Sequence, residues 1–477
     1  RVPPGGQPAV ADPRGGGPRR PSTRWHRPLR APGSLLDPPR LPDRSRGGPR
    51  VLLPGRRVRT LVVREHGAIE RSELGSELRL LHALDGRRED RPVFSWSRPT
   101  RLKAKSYVGV IQLPRTTIEI LPKVEADDAR VRSNLLYMLT VAGRVPFRER
   151  DLASLATAKM PLLEALMAIF SRRLVDELRR GAERGYRRLR QDSVVIRGKL
   201  LVGLSEKKRP GRTDLWVVDR DELVVDTVLN RILKRACRLL LRLTRIPATQ
   251  SALRESLLYY ADVTDRVVSS ADFESVSLDR NSARFEPLLT FARLVISGAS
   301  PSPMGGKEQT FSLLFPMDRL FEDFVGRFLL RHAQELGMRH RDIELQGRGR
   351  RRHLLRSNDG ELHYRLKPDI LIHREGAPRV LVDTKWKALD PSYSHDGVAQ
   401  GDIYQMYAYA VHYGCSEAVL LYPAVDGVSA RSLAFVGPPA PLGTRIRVAF
   451  MDVRRDLLRE RWRSVEELGG VLLDAAA

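Results

Sequence analysis

Two stretches decide the fold of the C-terminal part of this chain: Lys367-Pro-Asp369-Ile-Leu-Ile372 and Val380-Leu-Val-Asp383-Thr-Lys385-Trp386. Each is an apolar run interrupted only by acids or a lysine, a pattern that predicts a β-strand. Residues two apart in a strand project from the same face, so Asp383 and Lys385 are predicted to lie side by side. The short segment Glu375-Gly-Ala-Pro378 joins the strands. Two acids and a lysine therefore converge.

Such a cluster suits the hydrolysis of a phosphodiester. Asp369 and Asp383 supply the hard oxygen ligands that Mg²⁺ prefers, and the metal lowers the pKa of a bound water. Lys385 is placed to stabilise charge that develops on the phosphate. The alternative is that Asp369 only begins a strand and that Lys385 pairs with Asp383 on an exposed edge. Charges beside a buried strand are costly without a function, so we favour a catalytic site.

Further residues fit the same site. Glu322 lies among apolar residues in Leu320-Phe-Glu-Asp-Phe324 and is a candidate third metal ligand, although a glutamate on an exposed helix face explains it nearly as well. Gln405 and Tyr409 are four residues apart and share one side of a predicted helix. They are candidates to support Lys385 or hold DNA, and core packing is the alternative for Tyr409.

The elements around these strands predict an α/β (α+β) fold. They are a helix over 320–332, a hairpin turning at Asn358-Asp-Gly360, a helix over 402–413 and a strand over 418–422. The punctuation Ser300-Pro-Ser-Pro303 places a domain boundary after residue 300. Residues 56–300 are then a mixed β/helical N-terminal domain, and residues 301–477 form the second domain.

The N-terminal half offers fewer signals. Residues 1–55 contain 13 of the 32 prolines and show no periodicity, so this tail is predicted to be disordered. A helical stripe runs through residues 133–178, and a long amphipathic helix is predicted over 224–243. One face of that helix is cationic. It either meets phosphate or is an ordinary solvated face.

Composition narrows the class of protein. The formal net charge of +26 favours a polyanionic partner, with nucleic acid as the first candidate. Arg dominates this charge, so a compositional bias contributes to it. The two cysteines, Cys237 and Cys415, suggest neither a disulfide framework nor a zinc cluster. No apolar run is long enough to cross a membrane, and we expect a cytoplasmic protein without a membrane partner.

These motifs resemble known families. The C-terminal module is similar to PD-(D/E)xK nucleases, which have a restriction-endonuclease-like fold, and Gln405-x-x-x-Tyr409 is similar to the QxxxY element of RecB-like members. More of the chain resembles the McrC family, the nuclease subunit of modification-dependent restriction systems. The matching stretches are Gly109-Val-Ile-Gln-Leu-Pro114, Ile118-Glu-Ile-Leu-Pro-Lys123, Asn134-Leu-Leu-Tyr-Met-Leu139, Gly198-Lys199, Leu229-Asn-Arg-Ile-Leu-Lys234, Leu320-Phe-Glu322 and the nuclease motifs.

The resemblance implies a division of labour. An McrC-like protein cuts DNA with Mg²⁺, while an McrB-like AAA+ GTPase binds GTP, recognises 5-methylcytosine and translocates. Residues 56–300 would be the domain that docks onto and stimulates this motor. The chain has no GxxxxGK[ST] phosphate loop, and Gly305-Gly-Lys-Glu308 lacks the required spacing. Two alternatives remain open: a stand-alone RecB-like repair nuclease, and a non-catalytic protein that binds DNA or regulates a motor.

Overall fold

The computed structural model describes residues 58–86, 91–153, 160–212, 214–301, 309–347, 349, 351–435 and 444–473. The predicted disordered tail, residues 1–55, lies outside the described residues. The helices of the described part, in chain order, are α1 (Arg71–Leu74), α2 (Leu78–Gly86), α3 (Asp128–Val141), α4 (Glu149–Ala153), α5 (Leu162–Arg179), α6 (Val202–Lys208), α7 (Val228–Leu243), α8 (Pro247–Tyr259), α9 (Ser270–Ser275), α10 (Glu286–Gly298), α11 (Met317–Arg331), α12 (Gln400–Tyr413) and α13 (Arg461–Leu473).

The strands of the described part are mostly short. In chain order they are β1 (Arg59–Arg64), β2 (Ala68–Glu70), β3 (Phe94–Ser95), β4 (Arg101–Ala104), β5 (Tyr107–Gln112), β6 (Thr116–Leu121), β7 (Gly185–Ser193), β8 (Lys199–Leu200), β9 (Trp216–Val224), β10 (Ala299–Pro301), β11 (Gln309–Pro316), β12 (Ile343–Leu345), β13 (Arg352–Arg356), β14 (Leu362–Leu366), β15 (Ile370–Arg374), β16 (Ala377–Thr384), β17 (Glu417–Pro423), β18 (Arg431–Ala434) and β19 (Arg445–Met451). The described chain contains several sheets together with helices, so the predicted mixed α/β fold is confirmed.

The C-terminal sheet carries the candidate site. Its order is β12-β15-β16-β17-β19-β18, with β16, β17 and β19 parallel and the remaining pairs antiparallel. Along β16, Val380 and Val382 belong to the core that contains α11, whereas Leu381 belongs to the core under α12. Both faces of β16 are therefore covered, and Asp383 follows Leu381 toward the α12 side.

The N-terminal sheet receives a strand from beyond residue 300. Its order is β1-β6-β5-β11-β10, and β11 pairs antiparallel with β5. The close approach requires a glycine, since a Cβ on Gly109, which has φ +131°, would lie 2.0 Å from the Leu313 carbonyl oxygen. The boundary after residue 300 stays a prediction, but β11 belongs to the N-terminal sheet by hydrogen bonding.

One core runs through both halves of the described chain. The ring of Tyr137 on α3 lies 6.0 Å from that of Phe324 on α11, and residues from α3, α5, α7, α10 and α11 share a continuous buried cluster. The helix predicted over 224–243 begins only at Val228, because Thr227 caps it by accepting a hydrogen bond from the Asn230 amide. Strand β7 ends at Ser193, and the apolar residues 194–196 that follow it form no strand.

Candidate active site

The structure brings the two residues of the Asp-x-Lys motif together. Asp383 is the penultimate residue of β16, and Lys385 follows the strand end. The Lys385 amide still donates to the Leu421 carbonyl oxygen at 2.9 Å, so the backbone continues the ladder by one bond. As a result Lys385 Nζ lies 2.7 Å from Asp383 Oδ2, in an ion pair whose geometry is not that of an aligned hydrogen bond. Asp383 is buried and Lys385 is half-buried, so the pair does not lie on an exposed edge.

Helix α12 holds the lysine from the other side. Lys385 Nζ donates to Gln405 Oε1 at 2.9 Å and lies 3.2 Å from Asp402 Oδ1. Burial alone would lower the pKa of Lys385, but Asp383 and Asp402 outweigh it and the pKa is raised. The lysine is therefore a fixed cation at neutral pH.

The two residues predicted to act together on α12 form a chain of hydrogen bonds. Gln405 Nε2 donates to the Tyr409 hydroxyl at 3.0 Å, and that hydroxyl donates to the Lys367 carbonyl oxygen at 3.3 Å. Tyr409 also packs in the core under α12. Tyr409 thus contacts Gln405 and packs in the core, and this chain of hydrogen bonds ties Lys385 to the segment that precedes Asp369.

Asp369 lies directly before β15 and faces the end of β16. Its Oδ2 accepts hydrogen bonds from the Thr384 amide and the Thr384 hydroxyl, each at 2.7 Å. Burial raises the pKa of Asp369 to about 7, and the charges of Asp383 and Glu322 add to this effect. The carboxylates are therefore close enough to repel one another.

Glu322 completes the acidic group from α11. It is half-buried, and Gln346 Nε2 donates to its Oε1 at 3.1 Å. Burial is the largest cause of its raised pKa, and Asp323 and Asp383 raise it further. Glu322 is thus not the freely exposed helix-face residue of the alternative interpretation.

The acids of the site carry the oxygen atoms that a hard divalent cation prefers. Carboxylates that are partly withdrawn from water and raise one another's pKa form a charge conflict that a cation would relieve. The pKa of Asp383 is also raised, chiefly by burial and despite Lys385. Among the described residues, no group of three His, Cys, Asp or Glu side chains is already arranged as a metal cluster. The fit therefore rests on the oxygen chemistry of Asp369, Asp383 and Glu322.

Three contacts in this site had no strong signal in the sequence. In the sequence, Thr384 is an ordinary strand residue between Asp383 and Lys385. Gln346 lies in a turn, where it has a positive φ of 58°. Asp402 had a weak signal, because it stands three residues before Gln405 on the same helix. Their roles depend on how the elements pack, which local spacing does not reveal.

A tryptophan links the site to the N-terminal sheet. Trp386 Nε1 donates to Glu65 Oε2 at 2.9 Å, and its ring lies 5.2 Å from that of Phe321, the neighbour of Glu322. Glu65 is buried and also accepts a bond from the Lys123 amide at 3.2 Å. Burial raises its pKa to about 7. Trp386, the residue after Lys385, therefore connects the site to the end of β1 and to α11.

The cationic face of α7 is largely committed within the chain. Arg231 forms a two-pronged ion pair with Asp226, and Lys234 Nζ donates to the carbonyl oxygens of Tyr260 and Val263 at 2.8 and 2.5 Å. Arg238 pairs with Asp265. Arg235, on the same face, forms no ion pair or side-chain hydrogen bond among the described residues. Because the other three cations bond within the chain, this face is not a good candidate for binding phosphate.

Comparison with known proteins decides the family. The model of the family described as "McrBC 5-methylcytosine restriction system component" matches residues 102–423. The chain belongs to the McrBC family. No curated protein matches this McrBC-family chain. No helix in the described part of the chain is both long and apolar enough to cross a membrane.

A solved structure with a TM-score above 0.5 shows a similar fold. A chain from the refined half-complex of the tetradecameric assembly of Thermococcus gammatolerans McrB AAA+ hexamers with bound McrC is 20% identical, with a TM-score of 0.67. The match covers 87% of this McrBC-family chain and all of the other chain. A chain of the Thermococcus gammatolerans McrBC complex is 24% identical over 57% of this chain and 88% of its own, with a TM-score of 0.49.

Proposed function

We propose that this chain is the DNA-cutting subunit of a modification-dependent restriction system. It would hydrolyse phosphodiester bonds with Mg²⁺ in a PD-(D/E)xK type site of restriction-endonuclease-like fold. The observation that carries the proposal is the cluster of buried Asp383 with half-buried Asp369 and Lys385 in a chain of the McrBC family. Glu322, Gln405 and Tyr409 surround it.

Each residue has a distinct task in this proposal. Asp369, Asp383 and Glu322 would hold the metal, which when bound neutralises charge on the phosphate and acidifies a water. Lys385 stays protonated, so it acts as a fixed positive charge and hydrogen-bond donor toward the reacting phosphate rather than as a base. Gln405 holds the ammonium in place, and Tyr409 holds Gln405.

The partner would be an McrB-like AAA+ GTPase that recognises 5-methylcytosine. The similar structure from Thermococcus gammatolerans contains McrB hexamers with bound McrC, and the present sequence has no phosphate loop of its own. A docking surface is available on the sheet β7-β9-β8, near which Val194, Val195 and Ile196 are exposed. Exposed apolar patches of this kind commonly mark protein interfaces.

The site is tested by a cleavage assay on DNA that contains 5-methylcytosine. The assay contains the full chain, an AAA+ GTPase encoded by an adjacent gene, GTP and Mg²⁺. Asp383→Ala or Lys385→Ala should abolish cleavage while leaving partner binding and GTPase stimulation intact. Glu375→Ala is the matched control, because this exposed acid lies in the turn at the opposite end of β15 and β16. Undiminished cleavage by either site variant would remove the assignment.

The alternatives give different results in the same assay. Cleavage without partner or nucleotide would favour a stand-alone RecB-like nuclease. No cleavage under any of these conditions, with the GTPase still stimulated, would favour a non-catalytic regulator of the motor. For the docking surface, Val195→Asp should reduce co-purification with the GTPase, whereas Val267→Asp, at an exposed apolar residue elsewhere, should not.

A further inference from the structure

A two-stranded ribbon stands apart from the sheets of the described chain. Strands β13 and β14 pair only with each other, in antiparallel register from Arg352 opposite Leu366 to Arg356 opposite Leu362. The turn is closed by a bond of 3.0 Å from the Gly360 amide to the Ser357 carbonyl oxygen, and Gly360 adopts φ +91°. We call residues 351–366 the ribbon.

The root of the ribbon is fixed to the candidate site. Arg352 donates to the His412 carbonyl oxygen, and its guanidinium carbon lies 5.2 Å from the centre of the Tyr413 ring. The Tyr413 hydroxyl donates to the Leu366 carbonyl oxygen at 3.4 Å. Because α12 also carries Gln405, and Lys367-Pro-Asp369 directly follows the ribbon, the two strands extend from the rim of the site.

The remaining cations of this region are uncommitted. Arg351, Arg356, Arg365 and Lys367 are all exposed, and none forms an ion pair or a side-chain hydrogen bond within the described part of the chain. Residues 348–367 carry seven Arg or Lys side chains against two acids. This arrangement differs from α7, where Arg231, Lys234 and Arg238 bond to partners within the chain. Unpaired arginines held together on one element favour a polyanion as the partner.

An aromatic residue in a costly conformation lies on the same ribbon. Tyr364 is 72% exposed and has φ +55°, a left-handed conformation that costs a bulky side chain about 1 kcal/mol. The pairing register passes over Leu354 and Tyr364, so the ribbon is irregular there. Strain that exposes an aromatic ring has no stabilising role in the fold and indicates a contact outside it.

We infer that the ribbon binds duplex DNA through its phosphate backbone, beside the bond that the site would cut. A two-stranded ribbon fits the width of a duplex groove, and free arginines displace the counterions of the phosphates. Binding of this kind does not depend on base sequence. The inference rests on the proposed function only in taking DNA as the polyanion.

The test measures binding without cleavage. The full chain is titrated onto a short labelled duplex of mixed sequence in buffer with EDTA, and anisotropy is followed at several salt concentrations. Arg356→Gln combined with Arg365→Gln should weaken binding roughly tenfold and reduce the slope of log affinity against log salt by about 2. Tyr364→Ala should also weaken it.

The matched control removes the same charge elsewhere. Arg254→Gln combined with Arg280→Gln changes two exposed arginines without partners in the described chain and should leave affinity and slope nearly unchanged. The inference is overturned if the ribbon variant binds like wild type, or if both double variants lose affinity equally. It is also overturned if the ribbon variant keeps its DNA affinity and instead loses the GTPase partner.

The outcomes separate this inference from the proposed function. Ribbon-dependent DNA binding by a chain that never cuts DNA would contradict the nuclease proposal and leave the inference standing. If cleavage and DNA binding both remain after the ribbon arginines are replaced, the ribbon inference is contradicted and the nuclease proposal is left standing. Melting curves of both double variants confirm that folding is unchanged, as expected for exposed side chains.

Discussion

The cationic face of α7 and the candidate active site are both rich in charge, yet they use it in opposite ways. On α7, Arg231 and Lys234 meet acceptors that satisfy them, and Arg231 keeps the pKa of Asp226 well below its usual range. In the site, burial and neighbouring acids raise the pKa values of Asp369 and Glu322. Charges that have bonding partners stabilise a fold, whereas like charges held close together destabilise it and indicate a functional site.

The largest expected effect comes from removing one member of the conflict. Asp369→Asn keeps an oxygen that accepts from Thr384 but lacks the negative charge that would hold the metal. We expect cleavage to fall by about a thousandfold. Because repulsion with Asp383 and Glu322 is relieved, the free energy of unfolding in metal-free buffer should rise by about 1 kcal/mol.

The check is a cleavage assay combined with thermal melting. A variant that is inactive and less stable than wild type would mean that Asp369 is a structural acid like Asp226. That result would erase the difference between the two regions.

Removing a charged group from α7 should instead lower the free energy of unfolding. Lys234→Met leaves the buried Val263 carbonyl oxygen without its donor, whereas the Tyr260 carbonyl oxygen still accepts from the Val263 amide at 3.1 Å. One unsatisfied buried group costs roughly 2 kcal/mol, so the free energy of unfolding should fall by about 2 kcal/mol in denaturant titration. Arg235→Met, one residue along and without a described partner, is the control and should change little. Equal losses in both variants would contradict the assignment.

Glu65 provides an intermediate case, since its pKa is raised by burial without a cluster of acids. Asp318 raises that pKa slightly further, and Trp386 and Lys123 lower it. The folded-state pKa of about 7 lies above the usual 4.5, so wild type loses stability as pH rises between these values. Glu65→Gln should lack this loss, and the variant should gain about 3 kcal/mol relative to wild type between about pH 4 and pH 8.

Denaturant melts at several pH values test this expectation. Parallel curves for the two proteins would show that Glu65 is ionised without penalty in the fold. A gap that opened below pH 4.5 instead would give the wrong sign.

The smallest effect is expected where a paired charge is exposed. Arg238 and Asp265 form an ion pair at the surface, with 39% and 44% of their side chains exposed. Such pairs contribute roughly 0.5 kcal/mol, and salt screens them. Arg238→Ala should therefore shift the melting temperature slightly at low salt and not at high salt. A large shift that did not depend on salt would show that this ion pair contributes as much to stability as the buried hydrogen bonds of Lys234.

The sequence predicted the parts of the site that local spacing determines. Asp383 and Lys385 are two apart on a strand, and Gln405 and Tyr409 are one turn apart on a helix, so their alignment follows from backbone geometry. Thr384 and Gln346 could not be found in this way, because their contacts depend on how β16 approaches Asp369 and how a turn approaches α11. Their partners are distant in sequence.

In the ribbon and the N-terminal sheet, too, local pattern predicted some features, and others depended on contacts between residues distant in sequence. The Asp359-Gly360 pair predicted the hairpin correctly, but nothing local indicated which of its arginines would stay unpaired. The linker-like residues before β11 led the sequence analysis to assign residues 309–316 to the second domain. The pairing of β11 with β5 places this strand in the N-terminal sheet. Element type follows from short-range pattern, whereas sheet membership depends on long-range contacts.

The pairing of β5 with β11 also constrains how the molecule is made. During synthesis, β5 emerges early and has only β6 beside it until residues 309–316 leave the ribosome. An unpaired apolar edge is prone to associate with other chains, so this interval is a hazard for the newly made protein. Once β11 is in place, the next residue begins α11, which carries Glu322. Closure of the first sheet thus fixes the point from which the C-terminal sheet and the candidate site are built.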